Sequence, residues 1–319
     1  MLTTRRLADR LLSRRGIVRK LRFIQAEVFA ETPFGGNPVV VVPDAAGLSW
    51  EEMQEVARGM EPVETAFVTF PESDDADFCV RFFTPRTRVP FSGHPALGTA
   101  YVLAKEGRFD LVEPITKVVS ETDIGLLEID LYVDGDDISR VVLNEQPPVF
   151  GEPFEALGAM AGGLNISLDA LLEVALPMQR VSTGMPTLIV PLQSLEVVQY
   201  VRPHLAILDE VCAVANVDCV LVYTMETIRK DATAHVRVFA PPLGVDEDPA
   251  TGGANGALGA YLVHHGIIPV DPITRICCEQ GFEIGRPSLV HVTIDTTGDE
   301  LHVRVGGRVM RSVDGHIFF

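Results

Sequence analysis

The sequence lacks a long hydrophobic run and an excess of basic charge. No apolar stretch of the 319-residue chain approaches the roughly 18 residues that a bilayer-spanning helix needs, so we expect no membrane partner. Only 26 lysines and arginines stand against 44 acidic residues, which gives a formal net charge of −18. An acidic surface repels a phosphate backbone, so nucleic acid is not an expected partner either.

Cysteine is scarce and irregularly spaced. The five cysteines are odd in number and show no C-x-x-C spacing, which argues against a disulfide framework and a zinc knuckle. His264 and His265 are adjacent, but neighbouring helical residues point about 100° apart and cannot both face one ion. We therefore expect no metal and a reducing, cytoplasmic location.

The N-terminus differs from the rest of the chain in charge. Residues 1–22 contain eight lysines and arginines against one acid, with leucines between them. This pattern suits an organelle presequence, a surface arm or a start codon placed too early, but it lacks the apolar centre of a secretory signal. We expect residues 1–20 to be a dispensable basic arm.

The next segments alternate strand patterns with helix patterns. "KLRFIQAEVFA" (20–30) and "NPVVVVPDA" (37–45) predict two strands joined by the turn-forming residues 33–36. Ser49 and Glu52 form a capping box that predicts a helix start. Two further aromatic-rich strand patterns lead to a very apolar helix from about 94 to 106.

The second half of the chain repeats this order. "STGMPTLIVPL" (182–192) matches "FGGNPVVVVPD", and "GALGAYLVHHG" matches "PALGTAYVLAKEG" with a one-residue indel. Two similar halves would bring their matched helix starts towards a shared cleft. We expect domains at residues 21–145 and 146–319, with a terminal strand that can return to the first.

The two helix starts predict an anion site. A helix N-terminus offers unpaired N–H groups and the positive end of the helix dipole, which suit a small carboxylate or a developing enolate. The glycines of "TGGANG" let the backbone approach a ligand. No G-K-[ST] follows and the spacing is not G-x-G-x-x-G, so a nucleotide is not expected.

Three polar residues near these starts are candidates for proton transfer. Glu64 begins an apolar strand, where desolvation would raise its pKa towards neutrality, although it could simply cap the strand at the surface. His94 could be a helix-capping or core histidine. Asp248, before Pro249, has the pattern of an ordinary N-cap. Their matching places in a duplicated architecture favour a common site.

Five motifs in order carry a resemblance to a known family. "FGGNPVVVV", "ETAFV", "RFFTP", "FSGHPALGTAYVL" and "EDPATGGANGALGAYL" closely resemble the phenazine-biosynthesis PhzF-like isomerases. The resemblance runs from about Leu21 to the C-terminus. It implies an α+β, diaminopimelate-epimerase-like fold with two pseudo-symmetric halves, each a curved, mostly antiparallel sheet around a central helix.

The resemblance also implies a cofactor-free, homodimeric isomerase acting on a small carboxylate. The family's glutamate corresponds to Glu64 and moves a proton between carbons of a small cyclic or amino-acid-like substrate, assisted by residues corresponding to His94 and Asp248. Expected substrate-binding residues are Asn37, Gly93, Gly252 and Gly253.

Gly253 departs from the family pattern, because members commonly have serine there. The lost hydroxyl removes a substrate hydrogen bond and puts the phenazine precursor, trans-2,3-dihydro-3-hydroxyanthranilate, in doubt as the substrate. It favours the competing reading of a catalytically idle binding protein that keeps the cleft. Related racemases use a cysteine pair that these motifs lack, and a metal-dependent hydrolase would need convergent ligands.

Overall fold

The computed structural model of the chain describes residues 19–61, 63–298 and 300–319. In these ranges eighteen strands form one mixed sheet, and seven α-helices accompany it. The predicted α+β class is confirmed. No helix in the described ranges has the length and apolarity to cross a membrane. Residues 1–18 of the predicted arm lie outside the described residues.

The first half contains nine strands and two helices. Its first helix begins with the predicted capping box, in which Ser49 and Glu52 exchange side-chain and backbone hydrogen bonds. The strands are β1 Lys20–Val28, β2 Asn37–Val42, β3 Glu64–Thr69, β4 Phe78–Phe83, β5 Arg88–Val89, β6 Ile115–Thr122, β7 Gly125–Asp134, β8 Asp137–Asn144 and β9 Val149–Pro153, and the helices are α1 Trp50–Gly59 and α2 Gly93–Lys105.

The second half contains nine further strands and more helices. The strands are β10 Gln179–Ser182, β11 Pro186–Pro191, β12 Cys219–Thr224, β13 Ala234–Ala240, β14 Val245–Asp248, β15 Ile273–Gln280, β16 Ser288–Asp295, β17 His302–Gly307 and β18 Val309–Phe318. The helices are α3 Leu157–Leu164, α4 Asp169–Leu172, α5 Leu195–Tyr200, α6 Leu205–Ala215 and α7 Gly252–His264, and Pro241–Leu243 form a 3-10 turn.

Strand pairing repeats between the halves. The pair β2 and β3 is parallel, β3 and β4 antiparallel, and β4 and β6 parallel. The pairs β11 and β12, β12 and β13, and β13 and β15 follow the same three directions. The duplicated sequence order therefore corresponds to a duplicated topology.

Three pairings join the halves into one sheet. Strands β8 and β17 pair antiparallel, and β9 pairs with β10. The terminal strand β18 pairs with β1 along its length, starting from Lys20 opposite Phe318. The last residue of the predicted arm is thus already part of a strand.

Each half wraps around one buried helix. Residues 95–104 of α2 and 254–263 of α7 are all buried, so both helices are apolar on every side. The alignment of the two helix sequences required a one-residue indel, and this is wrong. Both helices have thirteen residues, and Pro90 and Pro249 each lie three residues before a helix start.

Candidate active site

Sheet register and helix α2 position the predicted residues of the first half. Asn37 is the first residue of β2 and Glu64 the first of β3. Because these strands are parallel neighbours, both residues lie at the same end of the strand pair. Gly93 and His94 are the first two residues of α2. A side chain built at Gly93 would meet no atom within 4 Å, so the space in front of this helix start is open.

In the second half Asp248 is not the N-cap that the sequence predicted. Asp248 is the last residue of β14, where it pairs with Val238, and α7 begins only at Gly252. Thr251, with an extended backbone, is the N-cap. Threonine is itself a favoured N-cap residue, so "Thr-Gly" was the signal for the true helix start. Asp248 is therefore free to face the first half.

Hydrogen bonds link Asp248 to both halves. The Asn37 side-chain amide donates from Nδ2 to Asp248 Oδ1 at 2.8 Å and to the Ala250 carbonyl oxygen at 2.8 Å. The Thr251 hydroxyl donates to Asp248 Oδ2 at 2.5 Å. Each carboxylate oxygen of Asp248 thus has a donor, and one donor comes from the other half of the chain.

Glu64 has one oxygen without a partner. Its Oε2 is buried and accepts no hydrogen bond from the described residues. Burial raises the pKa of Glu64, and the Ser92 hydroxyl that faces it lowers the pKa by a smaller amount. An unsatisfied buried carboxylate is costly and is typical of functional sites.

His94 is a neutral imidazole at pH 7. Burial lowers its pKa to about 4, although the charge of Asp248 and the Pro38 carbonyl act in the opposite direction. Its Nε2 atom is buried and has no hydrogen-bond partner among the described residues. Burial raises the pKa of Asp248, His94 lowers it, and Glu64 raises it again. Asp248 is thus the group whose pKa is affected by both of the others.

Gly252 and Gly253 form the first turn of α7. A β-carbon at Gly252 would lie 3.4 Å from Phe29 Cζ. A β-carbon at Gly253 would lie 3.2 Å from Met185 Cβ, and Gly253 does not have a left-handed φ. Its backbone conformation therefore accepts a serine, while Met185 limits the space.

The sequence missed three residues around this site. Ser92 and Thr251 lie inside the quoted motifs, and their helix-capping preference was an available signal. Gln280 donates from Nε2 to the Asp248 carbonyl oxygen at 2.7 Å. It lies in a stretch that showed only strand character, and nothing local marks it.

Two surface cavities lie elsewhere. One of about 460 Å³ is lined by residues such as Lys117, Glu145 and Arg304, and one of about 210 Å³ by residues such as Cys212 and Asp218. None of the seven predicted residues lines either cavity. Across residues 19–61, 63–298 and 300–319, no three His, Cys, Asp or Glu side chains converge to hold a metal ion.

Comparison with known proteins identifies the family. The profile described as phenazine biosynthesis-like protein, PhzC-PhzF, matches residues 26–315. The trans-2,3-dihydro-3-hydroxyanthranilate isomerase of Pseudomonas aeruginosa is 33% identical over 306 residues, with 93% of this chain and 99% of that protein covered.

Solved structures agree with this assignment. The Bacillus anthracis phenazine biosynthesis protein of the PhzF family superposes with a TM-score of 0.86 at 28% identity, covering 94% of this chain and 100% of that one. A hydroxyproline epimerase from Agrobacterium vitis, with a TM-score of 0.65 at 14% identity over 94% of this chain and 91% of its own, shares the fold alone. The chain therefore belongs to the phenazine biosynthesis-like PhzC-PhzF family and is an isomerase of that family.

Proposed function

We propose that the protein is a cofactor-independent isomerase that shifts a proton between two carbons of a small cyclic or amino-acid-like carboxylate. Glu64 is the general acid and base, and the reaction takes place between the starts of α2 and α7. The observation that carries this proposal is the buried Oε2 atom of Glu64, which has no hydrogen-bond partner among the described residues, as is also true of the buried Nε2 atom of His94.

Glu64 suits a group that takes and returns one proton. In the shift, its carboxylate removes hydrogen from one carbon and delivers it to another, so no other reactant is consumed. A base works best when its pKa lies near the working pH, and burial moves the pKa of Glu64 in that direction.

His94, Asp248 and the helix starts have supporting roles in this proposal. The neutral imidazole of His94 can donate a hydrogen bond to the substrate without adding a net charge. Asp248 acts on His94 through its charge, because the negative carboxylate raises the pKa of that imidazole. The first-turn N–H groups of Gly93, Gly252 and Gly253 can stabilise the substrate carboxylate or an enolate that develops during proton removal.

A binding protein that has lost turnover is the second candidate. The observation in its favour is Gly253, which lacks the hydroxyl that family members commonly have, together with Met185, whose Cβ would lie 3.2 Å from a β-carbon at this position. The two candidates differ in one measurable property. An isomerase exchanges carbon-bound hydrogen, whereas an idle protein only binds.

Incubation with candidate substrates in D₂O tests the proposal. The panel contains trans-2,3-dihydro-3-hydroxyanthranilate, on which the Pseudomonas relative is named to act, and cyclic and linear amino acids. We expect mass spectrometry to show deuterium at carbon in at least one of them. Calorimetric binding of a panel member without exchange in any of them would support the idle protein instead.

The assembly and location are also proposals. We propose a cytoplasmic homodimer, on the basis of the family resemblance and the free state of all five cysteines. Light scattering coupled to size-exclusion chromatography gives the mass of the assembly directly. A mass near 34.7 kDa, that of one chain, would exclude the dimer.

A further inference from the structure

A buried amide lies behind the loop that carries Asp248. Gln280 is the last residue of β15 and is fully buried. Its Oε1 atom accepts from the Thr251 backbone N–H at 3.1 Å and from Asn255 Nδ2 at 2.7 Å. Its Nε2 atom donates to the Asp248 carbonyl oxygen at 2.7 Å and to Thr251 Oγ1 at 3.1 Å. All four hydrogen-bonding positions of the amide are occupied.

This arrangement fixes the direction of every bond. Oε1 faces two donors and Nε2 faces two acceptors, so the amide has only one satisfactory orientation. Thr251 Oγ1 accepts from Gln280, and its single hydrogen points to Asp248 Oδ2 at 2.5 Å. The chain of donors therefore runs from Gln280 through Thr251 to the Asp248 carboxylate.

Thr251 gives up its usual role to make this contact. An N-cap threonine normally accepts from a backbone N–H of the first helical turn. The Thr251 side chain makes no such bond, and the Thr251 backbone N–H is bound by Gln280 instead. Asn255, one turn into α7, also bonds to the Thr251 carbonyl oxygen at 2.9 Å. The network thus holds the whole connection between Asp248 and the start of α7.

The first half has nothing comparable at the same place. Glu121 in β6 lies opposite Cys79, as Glu279 in β15 lies opposite His235, so the next residue, Thr122, corresponds to Gln280. The Thr122 hydroxyl donates to the Gly125 carbonyl oxygen within its own hairpin. The amide is confined to the half that supplies Asp248.

We propose that Gln280 is a positioning residue, which acts through Thr251 to hold the Asp248 carboxylate ionised and turned towards Asn37. The placement of Asp248 is seen directly in the structure, while its part in turnover rests on the proposed isomerase function.

The pKa of the Asp248 carboxyl group in the ligand-free protein tests this inference. It is read from the pH titration of the ¹³Cγ signal in protein labelled at aspartate, and Asp248→Asn identifies the signal by its loss. Thr251→Val removes one charge-assisted hydrogen bond and should raise the pKa of Asp248 by about 1–2 units. Gln280→Met should raise it by roughly half a unit or more, since the hydroxyl loses its partner.

The double variant decides whether Gln280 acts through Thr251. We expect Thr251→Val with Gln280→Met to show no larger shift than Thr251→Val alone, and Thr251→Ser to keep the original pKa. The matched control Thr122→Val should leave the Asp248 signal unchanged. If Gln280→Met does not fold, Gln280→Glu keeps the side-chain shape, lacks the amide donor and should shift the pKa in the same direction.

Two results would overturn the inference. One is an unchanged pKa of Asp248 in a folded Gln280 variant, and the other is a shift in the double variant equal to the sum of the single shifts. Neither result depends on a substrate. Failure here is therefore distinguishable from failure of the isomerase proposal, which the D₂O panel tests separately.

Discussion

At the start of β3 the first half has Glu64 opposite Val39, whereas at the start of β12 the second half has Cys219 opposite Thr187. Cys219 is fully buried, and burial raises the pKa of its thiol far above the usual range. The strand registers and the helix starts also show which other positions correspond between the two halves. At each of these positions a polar or charged residue in one half corresponds to glycine, cysteine or an apolar residue in the other: Glu64 to Cys219, Asn37 to Met185, Asp248 to Val89, and His94 to Gly253.

The difference shows how one composite site can arise from two copies of one backbone. Both halves keep the proline, the hydroxyl N-cap and the glycine that opens the helix, as in Pro90 and Pro249 or Ser92 and Thr251. The polar groups of the proposed site are divided, with the proton carrier Glu64 and the supporting residue His94 in the first half and the supporting residue Asp248 in the second. In the proposed mechanism, neither half is sufficient alone.

A second difference between the halves concerns stability. Glu121 and the corresponding Glu279 both accept from the backbone N–H groups of a nearby loop. Glu121 pairs with the guanidinium group of Arg81, whereas Glu279 bonds to the fully buried His235 at 2.7 Å. The other nitrogen of His235 bonds to Glu283 at 2.8 Å.

The His235 cluster should make stability depend on pH above neutrality. Burial lowers the pKa of His235, but hydrogen bonds to Glu279 and Glu283 outweigh it and raise the pKa to about 9. Because the folded-state pKa is raised, protonation of His235 stabilises the folded protein, and this contribution is complete below about pH 6.5. It adds up to about 3 kcal/mol to the free energy of unfolding and is lost as the pH rises through about 9. Urea unfolding at pH 6, 8 and 9.5 should show this fall. His235→Gln should remove it, and an equal slope in that variant would assign the fall to other groups.

The sequence predicted the plan of the fold better than the details of the site. Periodicity and capping chemistry located β1 to β4, α1 and the two central helices, whereas β6 to β9, β16 and β17 were not predicted. The N-cap interpretation of Asp248 was wrong. Asp-Pro also begins helices, and only the pairing with Val238 shows that the strand continues to Asp248. Gln280 could not be found, since its partners lie up to 32 residues away along the chain and no local pattern records them.

Gly253→Ser tests whether a polar side chain in the second half, at the position that corresponds to His94, contacts the ligand. Gly253 has no left-handed φ, so the backbone accepts serine, and the added hydroxyl can donate to a ligand. A neutral hydrogen bond is worth roughly 0.5–1.5 kcal/mol, so calorimetry should show about 2- to 13-fold tighter binding of trans-2,3-dihydro-3-hydroxyanthranilate.

Met185 provides the control, because its Cβ would lie 3.2 Å from the new β-carbon. Adding Met185→Ala to Gly253→Ser should restore any stability that crowding costs. Unchanged affinity and unchanged stability in Gly253→Ser would mean that position 253 does not face the ligand.

Deletion of residues 1–18 should have the smallest effect. The family profile begins at residue 26, and we expect the melting temperature and activity to stay the same. Deletion of residues 1–20 is the contrasting variant. It removes Lys20 from its pairing with Phe318 and the backbone bonds between Arg19 and Phe319, so it should lower the melting temperature. A fall of more than a few degrees with the shorter deletion would show that the arm stabilises the fold.

The central claim is that the first half, through Glu64, carries the proton. The most direct test is the rate of deuterium incorporation into the substrate found in the D₂O panel, measured for Glu64→Gln and for its counterpart Cys219→Ser. Glu64→Gln keeps the shape of the side chain and loses the titrating group, so we predict a loss of about 10²- to 10⁴-fold with intact folding. Cys219→Ser should remain within a few-fold of the unaltered protein. Undiminished exchange in Glu64→Gln, or an equal loss in Cys219→Ser, would contradict the account.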